Sequence, residues 1–111
     1  MTLSEFVSKY NYHDSTVCNL RHNQEDSSVT LEMELPWWNQ RQFKEGDREI
    51  EKKTFRFLNV TRYLSPDNIP YDQIGIFSIN IVDESIVIYV NNDFTDEDFS
   101  IEISASQVIE I

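Results

Sequence analysis

The chain has 111 residues, 40% of them hydrophobic and 13% aromatic, which suits a single globular domain over residues 1–111 and excludes an intrinsically disordered chain. The formal net charge is −11, and all nine Lys and Arg lie at or before Arg62, so residues 63–111 carry ten carboxylates and no cation. A half-chain this acidic repels phosphate backbones and attracts cations, which argues against a nucleic-acid partner. No window approaches the ~18 apolar residues a membrane span needs, and MTLSEFVSKY lacks a basic segment followed by an apolar block, so neither a membrane segment nor a signal peptide is expected. The single Cys18 excludes an internal disulfide and fits a reducing cytoplasm.

Taken in order, Thr2-Leu-Ser-Glu5 has the form of a capping box, and Leu3, Phe6, Val7 and Tyr10 fall at helical spacing. A short amphipathic helix over 3–10 is predicted. Asn11-Tyr12-His13-Asp14-Ser15 ends it, because Asn, Asp and Ser side chains compete for backbone donors and favour turns. Asp14 and Ser15 are expected to cap backbone groups there, with His13 packed at the helix–strand junction. A strand is predicted over 16–22, with Cys18 and Leu20 on one face and Val17 on the other. The next, over 28–35, has the cleanest alternation: Val29, Leu31, Met33 and Leu35 inward, Thr30, Glu32 and Glu34 outward. Pro36 cannot donate to a ladder, so pairing weakens there or the strand lies at an edge.

Asn39 to Lys53 is charged and poor in apolar residues, and reads as a long loop or frayed hairpin end. Residues 53–60 form the next predicted strand, with a phase shift at Phe57-Leu58 that calls for a bulge or strong twist. Ser65 to Pro70 reads as a loop. Ile74 to Val90 is the most apolar stretch, with eleven large apolar residues, most of them β-branched or aromatic. Asp83-Glu84-Ser85 divides it into two antiparallel strands, 74–82 and 86–92, apolar on parts of both faces and hence central in the sheet. Asn91 to Asp98 is a wider turn, and Phe99, Ile101 and Ile103 alternate with polar residues in a final strand. The fold class that follows is mainly β with a minor α component. It is an antiparallel six-stranded meander, as a curved sheet or half-barrel, with one short N-terminal helix.

The residues offer little chemistry. His13-Asp14-Ser15 holds the letters of a nucleophile triad, but neighbours in one turn point in different directions. Cys18, His22 and His13 lack the spacing of a zinc site, and Asn91 to Asp98 lacks the order and central Gly of an EF-hand. No catalytic residue, cofactor or metal site is therefore assigned. Two surfaces stand out for partner binding. One is Asp93, Asp96, Glu97 and Asp98, a dense acidic tip at the end of the sheet opposite Asp83 and Glu84. The other is Trp37-Trp38, since Trp is enriched at interface hot spots and in a strand the two rings would point to opposite faces.

Tyr12-His-Asp-Ser15 followed at once by a strand, with Phe57-Leu-Asn-Val60 midway, resembles a group of small uncharacterised bacterial proteins that open with such a turn and continue as a β-meander. Some similar domains are assigned as immunity proteins of bacterial toxin systems. The resemblance implies a cytoplasmic, non-enzymatic binding protein and carries no functional residue over. The expectation is thus an acidic protein-binding module with a cationic protein partner. The alternatives are a small structural or oligomerising domain, its oligomeric state left open, and, third, a metal-dependent enzyme.

Overall fold

The computed structural model describes all residues 1–111 as one antiparallel β-sheet and one short helix. Helix α1 spans Leu3–Lys9 and carries the predicted capping box: Thr2 Oγ1 accepts from Glu5 N–H, and the Glu5 carboxylate accepts from Thr2 N–H, both at 3.1 Å. Eight strands follow: β1 Thr16–Asn23, β2 Ser28–Pro36, β3 Ile50–Leu58, β4 Arg62–Leu64, β5 Ile74–Val82, β6 Ser85–Asn92, β7 Asp98–Ser104 and β8 Gln107–Glu110. A one-turn 3-10 helix, Trp37–Asn39, ends β2.

The sheet order is β4-β7-β6-β5-β1-β2-β3-β8, so the architecture is not the six-stranded sequential meander expected. The two added strands, β4 and β8, are short and lack a clear alternation. They are held by their neighbours rather than by their own pattern. Partner numbers along β3–β8 sum to 165 and along β4–β7 to 166. Residues 55–64 and 102–110 are thus two bent ribbons that pair with each other on both sides of the bend, with a one-residue slip there. Across the bend, Thr61 N–H donates to the Ser104 carbonyl and Ser106 N–H to that of Leu58.

This forces the sheet to curl. In a flat sheet β7 and β8, six strand spacings apart in the order, would be separated by about 29 Å at about 4.8 Å per spacing. Residues 105–106 alone join them, and three Cα steps reach at most about 11 Å. The strands therefore close into a barrel-like ring around one core of 19 buried hydrophobic residues. The seam is β1–β5, where the ladder is a single pair, Thr16 with Gly75, reinforced by Asp14 N–H to the Ile76 carbonyl and Ile76 N–H to the Ser15 carbonyl. Helix α1 lies against β5 and β8, and Met1 and Val108 exchange backbone hydrogen bonds. Phe6 enters the core against Phe55, Phe57 and Tyr12, with ring centroids 4.9–5.2 Å apart.

Local faces follow the sequence in β2, where Val29, Leu31, Met33 and Leu35 are all fully buried. In β1 they do not. The register shifts between Val17 and Asn19, so Cys18 sits on a bulge and both Val17 and Leu20 turn inward. The phase shift foreseen at Phe57-Leu58 is instead a break after Leu58, where Asn59 takes a left-handed φ of 54° before β4 begins. The hairpin β5–β6 is interior to the sheet as expected, with Ile74, Ile76, Ile79, Ile86, Ile88 and Val90 in the core. Its other face is not covered: Phe77, Val82 and Tyr89 are exposed.

This inside–outside difference fixes an expected mutational contrast. Ile88→Ala should lower stability by about 2–5 kcal/mol by leaving a core cavity. Phe77→Ala, on the same hairpin, should change it by only about 0.5 kcal/mol. Urea unfolding midpoints check both, and equal losses would overturn the assignment of faces.

Candidate functional site

The outer face of β5, β6 and β7 forms a shallow groove at the end nearest the β1–β5 seam. Three local features shape it. First, β5 carries a bulge: Ile76 pairs with Val90 and Ser78 with Tyr89, leaving Phe77 as the extra residue. A bulge re-aims the side chain it carries, and Phe77 stands 66% exposed. Second, the turn before β1 leans onto that bulge. His13 Nδ1 lies 2.9 Å from the Phe77 carbonyl and its ring packs edge-on to Phe77, while Asp14 holds a left-handed φ of 69°. Third, the β6–β7 connection folds back. Asn92, 7% exposed, accepts through Oδ1 from Phe94 and Thr95 N–H and donates its own N–H to the Glu97 carbonyl.

These features gather Asp14, Asp93, Asp96 and Asp98 around Phe77 and Tyr89. The Asn91 side-chain amide donates to Asp98 Oδ1 at 2.6 Å and reaches Asp96 Oδ1 at 3.4 Å, holding two carboxylates on one donor group. Of the four expected tip residues, Asp93, Asp96 and Asp98 line the groove and Glu97 does not. The sequence treated His13-Asp14 and the 93–98 tip as separate features; strand register brings them together through Gly75, which pairs with Thr16 on one side and Asn91 on the other.

The turn is built differently from expectation. Neither the Asp14 nor the Ser15 side chain caps a backbone group. Asn11 Oδ1 accepts from His13 N–H instead, and Ser15 Oγ is buried with no partner. The turn is tied down by Gln40, from the stretch read as a charged loop. Its side chain accepts from Asn11 N–H at 2.8 Å and donates to the carbonyls of Asn11 and Pro36 at 2.7 and 3.0 Å. A lone Gln in a polar stretch gives no signal of burial, so only the fold reveals it.

Trp37 and Trp38 are not in the groove. They lie in the 3-10 turn rather than a strand, so the expected opposition of the two rings does not apply. Trp37 is half-buried and covered by Lys53, whose Nζ lies 5.3 Å from the Trp37 ring and 5.5 Å from that of Tyr10. Glu110 completes this cluster, 2.9 Å from Tyr10 Oη, 3.2 Å from Lys9 Nζ and 3.9 Å from Lys53 Nζ. Burial, helped by the Glu110 hydrogen bond and charge, pushes the Tyr10 phenol up to about 12. Trp38 is 55% exposed, beside the equally exposed Ile50.

Charge is segregated. Five cations are paired: Lys9 and Lys53 with Glu110, Lys52 with Glu32, Arg56 with Asp26, and Arg62 with Glu102. Of the ten carboxylates in 63–111, only Glu102 and Glu110 have a Lys or Arg partner. The groove carboxylates have none. No three His, Cys, Asp or Glu side chains converge as metal ligands, and Cys18, His22 and His13 do not meet: His22 stacks on Tyr63 instead. The Cys18 thiol is pushed up to about 11, by burial first and then by Glu34 and Asp72, which disfavours the nucleophilic thiolate. No helix is long and apolar enough to cross a membrane.

Comparison of the chain with protein-family models, with curated proteins and with solved structures found no match. The functional reading therefore rests on the groove itself.

Two contrasts test how the site is held. Gln40→Ala should destabilise by about 1–3 kcal/mol, because it strands buried polar groups. Ser15→Ala should be neutral or mildly stabilising, since Ser15 Oγ makes no hydrogen bond to lose. Thermal or urea unfolding of the pair decides; a large loss at Ser15 would show an unrecognised partner. The phenol of Tyr10 adds a pH dependence. Its folded-state value lies above the ordinary 10.0, so its contribution is complete below about pH 10 and is lost as pH rises toward about 12. Tyr10→Phe should flatten the fall of the urea midpoint across that window, and an unchanged slope would refute the assignment.

Proposed function

We propose that this is a non-enzymatic, cytoplasmic binding protein that engages a cationic protein partner through the groove on β5, β6 and β7, in an immunity-like role. The observation that carries the reading is the set of groove carboxylates, Asp14, Asp93, Asp96 and Asp98. They surround two exposed aromatic rings, and no Lys or Arg of the chain neutralises them. An exposed aromatic centre with a charged rim is the composition of a contact surface, with the rings supplying buried area and the charges steering approach. A phosphate-bearing partner would be repelled by the same carboxylates.

A second reading, a small oligomerising domain, is favoured by Trp38 and Ile50, which are adjacent, exposed and outside the groove. Sedimentation separates the two, since self-association through that face should disappear in Trp38→Ala and leave the groove unaffected.

The leading reading is tested with a partner captured from the native host. Asp93→Asn, Asp96→Asn and Asp98→Asn together should slow association at low salt by about tenfold or more and flatten its salt dependence, because screening acts over about 8 Å at physiological ionic strength. Wild-type rates and salt dependence in the triple variant would sink the reading.

A further inference from the structure

The groove's geometry narrows the chemistry of what it receives. Tyr89 lies two residues before Asn91 on β6, so both side chains point outward, one beside the other. In the row across the sheet Tyr89 is flanked by Ser78 on β5 and Ser100 on β7. Both are small and do not bury the ring, which is 42% exposed. In the next row Asn91 is flanked by Gly75 and by Asp98, to which it donates. Gly75 has no side chain to fill the floor, and the Asp93 carboxylate lies over it, 3.6 Å from where a Cβ would be.

The chain shows what such a set does when a cation is present. At Glu110 the same three parts occur together, with Lys53 over the rings of Tyr10 and Trp37 and the carboxylate beside it. There the cation comes from within. In the groove the rings and carboxylates are present and the chain supplies no Lys or Arg.

Resting on the binding reading above, we propose that the groove is an arginine receptor: it takes an arginine side chain of the protein partner, its guanidinium stacked on Tyr89 and hydrogen-bonded to Asp98 and Asp96. Arginine fits better than lysine because a guanidinium is planar, stacks on an aromatic face and presents several donors to carboxylates at once, whereas an ammonium is a compact, strongly hydrated point charge. The Asn91 amide already holds Asp96 and Asp98 together, so a forked donor meets them without first drawing two like charges to one place. A second copy of this chain is a poorer occupant, because each copy carries net −11.

The probes are an oligo-arginine peptide and an oligo-lysine peptide of equal length, titrated into the intact protein at fixed ionic strength. Binding is followed by NMR of the Tyr89 ring, the Asn91 side-chain amide and the backbone. Oligo-arginine should shift the Tyr89 and Asn91 signals and bind about two- to fivefold tighter than oligo-lysine, the ratio an exposed cation–π contact provides. Tyr89→Ala should bring the two peptides level, while Tyr89→Phe, which keeps the ring, should keep the preference. Equal binding of both peptides, unaffected by Tyr89→Ala, would overturn the arginine receptor and leave the acidic binding surface standing. Shifts confined to the Asp83-Glu84 turn would overturn both. A dimer of the free protein that dissociates in Tyr89→Ala would identify a second copy as occupant and overturn the proposal.

Discussion

The structure depends on two short covalent links, residues 59–61 between β3 and β4 and residues 105–106 between β7 and β8. Each joins strands on opposite sides of the sheet order, and neither can span a flat sheet. Curling is therefore imposed by chain length, and the core is what makes it favourable. The ring has one weak seam, β1–β5, where a single ladder pair is supplemented by the turn at Asp14-Ser15 and by Asp72 N–H donating to the Val17 carbonyl. A seam with few backbone hydrogen bonds is where irregular backbone is tolerated, and three features of this protein gather there. They are the bulge at Phe77, the left-handed Asp14 and the beginning of the groove.

The groove is a consequence of closure rather than of any one motif. The β1–β5 pairing sets the His13-Asp14 turn beside β5, and the β5–β6–β7 registers set Gly75, Asn91 and Asp98 in one row. The bulge then turns Phe77 out of the barrel, beside His13. Backbone geometry fixes these positions.

Electrostatics follows the same division. Five of the nine cations of the first half are paired within the molecule, three of them with the two carboxylates that the second half places on β7 and β8, Glu102 and Glu110. The remaining carboxylates of the second half lie on turns and the outer sheet face, where hydration keeps their repulsion tolerable. Exposed pairs of this kind contribute little stability individually, so the consequence of the segregation is for association rather than for folding. One end of the barrel has a field of a single sign with aromatic surface at its centre.

The sequence by itself determined the helix and its capping box, the alternation of β2, the β5–β6 hairpin with its turn, and the uneven charge. Each rests on neighbours within a few residues, where period and turn chemistry are written directly. Only the tertiary structure decided the rest. The β4 and β8 strands are short and defined by pairing partners distant in the chain, from Leu64 with Glu102 on β4 to Phe55 with Glu110 on β8. The reversal of Val17 came from a bulge that no residue type announces, and Gln40 is buried by groups twenty-nine residues distant in the chain. The apolar outer face of β5 and β6 read as a second buried face, because hydrophobicity reports what could be covered, not what is. Asp14 and Asp98 are eighty-four positions apart, and what brings them to one groove is strand register, a property of pairs that a single strand's pattern does not contain.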